Sequence, residues 1–254
     1  MTLFLFLLLI TLVNVIVSKD IHITGNENTI DLTDGNVFVI KGIGLEVDSA
    51  QELIKFGSMF GKVDRYISGT PPYLQKKIDH SHDENCMFNI EPTEYYTRII
   101  KEKGEEIGWH SDMSYLKNTP TFSIVRPVSL PDNKTSTMFK DMKMVLNDFP
   151  NNERLINLYA NHSDDFNTSS THPVVRDGYL FVNRAFTRNI IGIDDGNVFL
   201  EQIFQFIDNH KESETLIKWE IDDILVWNNN FLFHTAVYDY PKDEYREIQR
   251  VIII

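Results

Sequence analysis

The chain has 254 residues, a formal net charge of -13 and 42% apolar residues. This length allows one sizeable hydrophobic core, and the apolar fraction is ordinary for a globular protein. The negative charge repels a phosphate backbone, so we expect no nucleic-acid partner. A single cysteine, Cys86, excludes an internal disulfide and a zinc site built from several thiolates.

The N-terminal segment, residues 3–17, is almost entirely apolar. It is shorter than the roughly 20 residues that a membrane-spanning helix needs. It fits the apolar part of a signal peptide, with the small Ser18 before the charged Lys19 and Asp20. An uncleaved apolar anchor and a buried strand or helix of the domain stay open as alternatives.

We therefore divide the chain into residues 1–18, a signal peptide or apolar anchor, and residues 19–254, a single domain. A functional signal predicts a protein of the secretory pathway or a secreted one, and otherwise we expect a cytoplasmic protein. Contact with a membrane is expected only through residues 1–18, if they are not cleaved. Self-association into a homo-oligomer stays open.

The first half of the chain predicts few regular elements. Residues 21–24 and 37–40 are typical of short strands. A helix is expected to open at Ser49, because Ser49 and Glu52 have the spacing of a capping box. Its apolar face would consist of Leu53, Phe56, Met59 and Phe60. Residues 61–108 are predicted to be irregular, either a substrate loop or a plain connection.

From Trp109 onward the pattern favours strands. Residues 121–128 predict one strand, and residues 174–176 and 179–182 predict a hairpin around Asp177-Gly178. Residues 198–209 form an amphipathic pattern, and residues 221–227 and 250–254 are typical of buried strands. We predict a mixed α and β protein with a mainly β core, a sandwich or jelly roll, and flanking helices.

His110 and Asp112 have the spacing of two side chains on the same face of a strand, with Ser111 facing away. His234 is the candidate third ligand, because only His110 and His234 among the eight histidines lie in apolar, aromatic segments beside suitable partners. Two histidines and one carboxylate leave three positions open on an octahedral metal. This arrangement is typical of iron(II) enzymes that bind a co-substrate together with O₂.

Arg246 follows His234 by twelve residues. A strand, a turn and a returning strand of that length can bring its guanidinium to the far end of a metal pocket, where it can grip the distal carboxylate of 2-oxoglutarate. The alternative is a surface ion pair with Asp243, Glu244 or Glu247. A zinc hydrolase built on the same ligands would leave Arg246 unexplained and has no obvious general base.

The linked motifs resemble those of the taurine dioxygenase-like family of iron(II)- and 2-oxoglutarate-dependent oxygenases. The first motif is Trp109-His110-Ser111-Asp112, and the second is a hairpin that begins with His172-Pro173-Val174-Val175-Arg176. The third is Trp227-Asn228-Asn229, followed by His234, Arg246 and Arg250. Asn228 stands where the family has aspartate.

This resemblance implies a double-stranded β-helix, which is a form of jelly roll. It also implies His110, Asp112 and His234 as the Fe(II) ligands, with 2-oxoglutarate and O₂ as co-substrates. The implied reaction is hydroxylation of a small, anionic substrate with release of succinate and CO₂. The alternative is a catalytically silent β-roll that acts as a binding module.

The resemblance further assigns roles to four residues. Thr137 and Arg246 would hold the distal carboxylate of 2-oxoglutarate. Arg250 would face the anionic group of the substrate, or else contact 2-oxoglutarate or a neighbouring carboxylate. Phe186 would line the substrate pocket.

Overall fold

A computed structural model of the chain describes residues 15–17, 37–41, 50–64, 92–93, 96–102, 108–164, 168–237, 240–241 and 244–254. The strands are β1 (Val15–Val17), β2 (Val37–Ile40), β3 (Pro92–Thr93), β4 (Tyr96–Glu102), β5 (Phe122–Ser129), β6 (Lys134–Asp141), β7 (Tyr159–Ser163), β8 (Ser169–Pro173), β9 (Val175–Arg176), β10 (Tyr179–Leu180), β11 (Thr187–Ile191), β12 (Glu214–Glu220), β13 (Ile224–Asn228), β14 (Leu232–Val237) and β15 (Tyr245–Ile253). The α-helices are α1 (Ala50–Gly57), α2 (Met142–Asp148) and α3 (Gly196–Asn209).

Two antiparallel sheets form the body of the fold. The larger has seven strands in the order β1-β2-β13-β5-β15-β4-β3, and the smaller has three in the order β12-β6-β14. Apolar side chains of both sheets share one buried cluster, so the sheets face each other. This arrangement is a double-stranded β-helix, and the predicted fold class is confirmed.

Side-chain alternation along the strands builds the core. On β2, Val37 and Val39 belong to the cluster between the two sheets, whereas Phe38 packs with Leu53 and Phe56 of α1 on the outer face. A strand covered on both faces needs apolar residues throughout, which explains the unbroken Val-Phe-Val-Ile sequence of β2.

A second layer covers the outer face of the smaller sheet. It contains α2, α3, a three-stranded sheet in the order β11-β7-β8 and the β9-β10 hairpin. Lys140 of β6 lies fully buried beneath α3, where its ammonium donates to the backbone oxygen of His210 at 2.9 Å. A cation at this position complements the negative end of the α3 dipole.

Several predicted elements are confirmed. β2 coincides with the predicted strand, and β5 begins one residue later than expected. The hairpin has the predicted turn but shorter strands, and Asp177 and Gly178 both have positive φ, as a two-residue turn of this kind requires. The predicted amphipathic helix is α3, and its inward residues Leu200, Ile203, Phe204 and Ile207 are buried.

Three local predictions are wrong. Residues 61–108 are not irregular throughout, because β4 pairs with β15 inside the large sheet. The strand predicted from Ile221 begins at Ile224, since Asp223 instead closes a turn by accepting from the Glu220 amide at 2.8 Å. Helix α1 ends at Gly57, so Met59 lies beyond it and is 45% exposed.

The structure describes only residues 15–17 of the N-terminal segment. The described residues do not include the strand predicted over residues 21–24. They also do not include residues 1–14 or Ser18. Val15–Val17, the end of the apolar run, form β1 and pair with β2 at one edge of the large sheet. Within the part of the chain that the structure describes, no helix has the length and apolarity needed to cross a membrane. The signal peptide stays a prediction.

The packing of α3 gives the first testable prediction. Ile203 is fully buried, and Ile203→Ala should lower the free energy of unfolding by about 2–5 kcal/mol through lost contacts and a cavity. Val198→Ala on the same helix removes a side chain that is 61% exposed and should change it by less than about 0.5 kcal/mol. Urea unfolding of both variants measures the difference, and equal effects would contradict the observed orientation of α3.

Candidate metal centre

The inner faces of strands β14 and β15 carry three residues of the candidate site. On β14, His234 lies two residues from Leu232, which belongs to the cluster between the sheets. On β15, Arg246 and Arg250 flank Ile248 of the same cluster at a spacing of two residues. Because residues two apart on a strand share a face, these polar side chains point into the space between the sheets.

His110 is attached to β14 through its backbone. Its amide donates to the His234 carbonyl at 3.2 Å, and the His234 amide donates to the His110 carbonyl at 2.9 Å. The strand expected over His110–Asp112 is limited to this single bridge, because the chain then turns at Met113, which has positive φ. The expected alternation nevertheless holds, since the Ser111 hydroxyl points away and donates to the Asn229 carbonyl at 2.7 Å.

The three predicted ligands converge. Their donor atoms lie within 4.8 Å of one another, and all three residues are buried. Nε2 of His110 and Nε2 of His234 each lie 3.9 Å from Oδ1 of Asp112. Each of these separations is shorter than two metal–ligand bonds of about 2.1 Å laid end to end. This donor set therefore fits a metal ion.

A hydrogen bond orients the His110 ring. Its Nδ1 donates to the Gly108 carbonyl, 2.8 Å away, which leaves Nε2 as the nitrogen that faces Asp112. Metal-binding histidines are commonly fixed through the second ring nitrogen in this way.

Asp112 is held ionised by its surroundings. Burial alone would raise its pKa, but the Arg250 guanidinium, both histidine rings and the Ser123 hydroxyl together outweigh burial and hold the pKa of this carboxyl well below its ordinary value. Ser123 donates to Oδ2 at 2.7 Å, and Arg250 contacts Oδ1. The structure thus places Arg250 against a neighbouring carboxylate, which is one of the alternatives raised for it.

Arg246 lies inside the protein and not on its surface. It is only 5% exposed, and its guanidinium donates to the Thr135 hydroxyl and the Ser136 carbonyl, each at 3.4 Å. This burial contradicts the surface ion pair considered for Arg246. Thr137, two residues from Thr135 on the same face of β6, accepts a hydrogen bond from Trp219 Nε1 at 3.1 Å.

Phe186 lies beside His110, and its expected place in a substrate pocket stays a prediction. Its ring centroid is 6.3 Å from that of His110 and 5.0 Å from that of Tyr115. Tyr115, Ser123 and Thr135 were not predicted as parts of the site. Ser123 had a detectable signal, because it is a small polar residue beside the apolar Phe122, Ile124 and Val125, whereas no local pattern marks Tyr115.

A buried polar network lies behind residues 110–114, the ligand loop, which carries His110 and Asp112. His162 is fully buried, and its Nδ1 lies 3.1 Å from the Ser114 hydroxyl, which also accepts from Asn183 at 3.0 Å. Burial, assisted by the nearby His172 and Arg176, lowers the pKa of His162 to about 3. His162, for which no role was predicted, helps to hold Ser114, two residues beyond Asp112.

A jelly roll with a buried His-Asp-His donor set defines a class of proteins built to hold a metal between two sheets. The chain belongs to the family described as "Taurine catabolism dioxygenase TauD, TfdA family", whose model matches residues 31–252. The resemblance stated from the sequence is therefore confirmed.

Individual relatives are distant. The chain is 21% identical over 240 residues to an alpha-ketoglutarate-dependent sulfonate dioxygenase of Saccharomyces cerevisiae. The alignment covers 85% of this chain and 57% of that protein. It is 23% identical over 199 residues to an alpha-ketoglutarate-dependent sulfate ester dioxygenase of Pseudomonas putida, covering 65% of each. The chain thus spans less than two thirds of the length of either relative.

A solved structure shares the fold. The crystal structure of a taurine dioxygenase from Burkholderia xenovorans superposes with a TM-score of 0.62 at 20% identity, covering 81% of this chain and 72% of that one.

The His162 network predicts how stability depends on pH. The pKa of an unfolded histidine is about 6.5, so between roughly pH 6.5 and 3 the unfolded chain binds a proton that folded His162 does not. The free energy of unfolding should therefore decrease as the pH is lowered through this window, by up to about 1.4 kcal/mol per pH unit from this residue. His162→Gln should give a flatter profile in urea unfolding, and identical slopes in the two proteins would refute this assignment.

Proposed function

We propose that the chain is an iron(II)- and 2-oxoglutarate-dependent dioxygenase that oxidises a small anion, a sulfonate or a sulfate ester. The observation that carries the proposal is the convergence of a buried His-Asp-His donor set, together with a buried arginine, Arg246, on strand β15. Family membership and the names of the two relatives support it.

His110, Asp112 and His234 would hold the iron. An iron ion bound there would supply the redox chemistry with O₂, since three protein ligands leave positions for a chelating co-substrate and for oxygen. The surroundings keep the Asp112 carboxylate ionised, which is the form that binds a metal ion.

Arg246 would bind the distal carboxylate of 2-oxoglutarate. A guanidinium forms paired hydrogen bonds with a carboxylate and keeps its charge even when buried. Thr137 is suited to the same carboxylate, because its oxygen accepts from Trp219 and its own hydrogen can be donated to an anion. Thr135, which already contacts Arg246, would fix the guanidinium plane.

Arg250 would select an anionic substrate. Four residues of strand, roughly 13 Å, separate it from Arg246, so the two cations lie toward opposite ends of one inner face. Phe186 and Tyr115 add an aromatic wall beside His110 for the carbon body of the substrate. In the balanced reaction, one oxygen atom of O₂ hydroxylates the substrate, the other enters succinate, and 2-oxoglutarate loses CO₂.

Loss of a ligand should abolish the reaction. Asp112→Ala and His234→Ala should reduce succinate release, measured with Fe(II), 2-oxoglutarate and a panel of sulfonates and sulfate esters, by at least about 100-fold. Asp222→Ala, at an exposed turn, is the matched control and should leave turnover unchanged.

Two outcomes would count against this proposal. Turnover that survives both ligand substitutions would show that the site is misassigned. A wild-type protein that neither binds metal nor releases succinate would favour the silent binding module.

Arg246 should act on the co-substrate. Removing the charge in Arg246→Gln should raise KM for 2-oxoglutarate by roughly 10- to 100-fold, the usual cost of a hydrogen bond to a charged group. Arg184→Gln is the control, because the Arg184 side chain is 47% exposed and pairs with Glu201 and Asp208 on the surface. An unchanged KM in Arg246→Gln, measured by succinate formation, would remove Arg246 from the co-substrate site.

A further inference from the structure

Asp112 differs from the two candidate histidine ligands in how its backbone is held. His110 and His234 bond to each other through a pair of backbone hydrogen bonds. Three residues after His110 the chain turns away at Met113, and the backbone of Asp112 bonds to a side chain instead of a strand. That side chain belongs to Asn229, which is 117 residues away in sequence and 1% exposed.

We propose that Asn229 is the positioning residue of the metal centre and that it acts through Asp112. Its Oδ1 accepts from the Asp112 amide at 2.8 Å, and its Nδ2 donates to the Asp112 carbonyl at 3.0 Å. The same Nδ2 lies 3.3 Å from the Pro120 carbonyl. One side-chain amide thus takes the place of the partner strand that Asp112 lacks.

The Asn229 backbone is fixed as well. Its carbonyl accepts from the Ser111 hydroxyl at 2.7 Å, and its amide donates to the Thr121 carbonyl at 2.8 Å. Because hydrogen bonds fix the Asn229 backbone, its side-chain amide can hold the Asp112 backbone in one position. The Asp112 carboxylate then reaches Ser123 with one oxygen and the two histidines with the other.

The chemistry of the contact is specific to asparagine. Bonding both the N–H and the C=O of one residue requires a donor and an acceptor at the end of a short planar group. Aspartate has the same shape, but it would place an oxygen against the carbonyls of Asp112 and Pro120. Asn229→Asp therefore tests the two donor bonds with almost no change in volume.

The inference rests on the proposed function, and Mn(II) is the probe because its binding can be measured without turnover. Asn229→Asp should raise the Kd for Mn(II) by roughly 10- to 100-fold, the usual cost of losing a partner of a metal ligand. Asn230→Asp adds the same charge one residue away, where the Asn230 oxygen faces Arg176, and should leave the Kd unchanged. Near-UV circular dichroism checks that each variant is folded.

The outcomes separate the two proposals. A wild-type chain that does not bind Mn(II) would refute the proposed function. A wild-type chain that binds, with folded Asn229→Asp binding equally well, would overturn only the role of Asn229. A purely structural residue would lower the free energy of unfolding without changing the Kd.

A second variant covers the case in which Asn229→Asp does not fold. Ser111→Ala removes one neutral hydrogen bond to the Asn229 carbonyl and should weaken Mn(II) binding by about 3- to 10-fold. An unchanged Kd in this variant would overturn the inference.

Discussion

Two backbone hydrogen bonds between His110 and His234 determine the position of the rest of the candidate site. His234 lies on β14, and its register opposite Phe139 of β6 is fixed by a ladder of six residue pairs. The bridge transfers that register to His110, and Asp112 follows two residues later. A ligand set drawn from a loop and a strand is therefore located by sheet pairing, with a side-chain amide completing the attachment.

Placing charges between two sheets has an energetic cost that the neighbouring groups must offset. A buried carboxylate or guanidinium loses its hydration, and the loss is repaid only where partners lie close by. Asp112 has Arg250 and Ser123, and Arg246 has Thr135 and the Ser136 carbonyl. The aromatic rings of Phe139 and Trp227, 6.1 and 4.8 Å from the His234 ring, keep the surroundings apolar. In such surroundings electrostatic contacts are stronger than in water, so a small set of charged groups can control binding.

Local patterns in the sequence were sufficient for the features that depend on near neighbours. The two-residue hairpin, the apolar face of α3 and the apolar β2 all follow from spacing over a few residues. The convergence of His110, Asp112 and His234 was predictable from the spacing of His110 and Asp112 and from the apolar, aromatic segments around the two histidines. β4 was missed because its pairing with β15 joins residues that are far apart in sequence. The roles of Thr135 and of the Asn229 amide were missed for the same reason, since nothing local marks a side chain that serves a distant backbone.

The second layer of the fold supports the site although none of the candidate metal ligands comes from it. His234, Arg246 and Arg250 stand on strands of the two main sheets, whereas His110 and Asp112 stand on a loop. Behind that loop, Ser114 bonds to His162 of β7 and to Asn183, which follows β10. The His162 ring stacks on Phe181 at a centroid distance of 5.5 Å, and this contact ties the network to the hairpin. Ordering a loop costs conformational entropy, and the contacts of Ser114 with this layer help to offset that cost for the segment that carries Asp112.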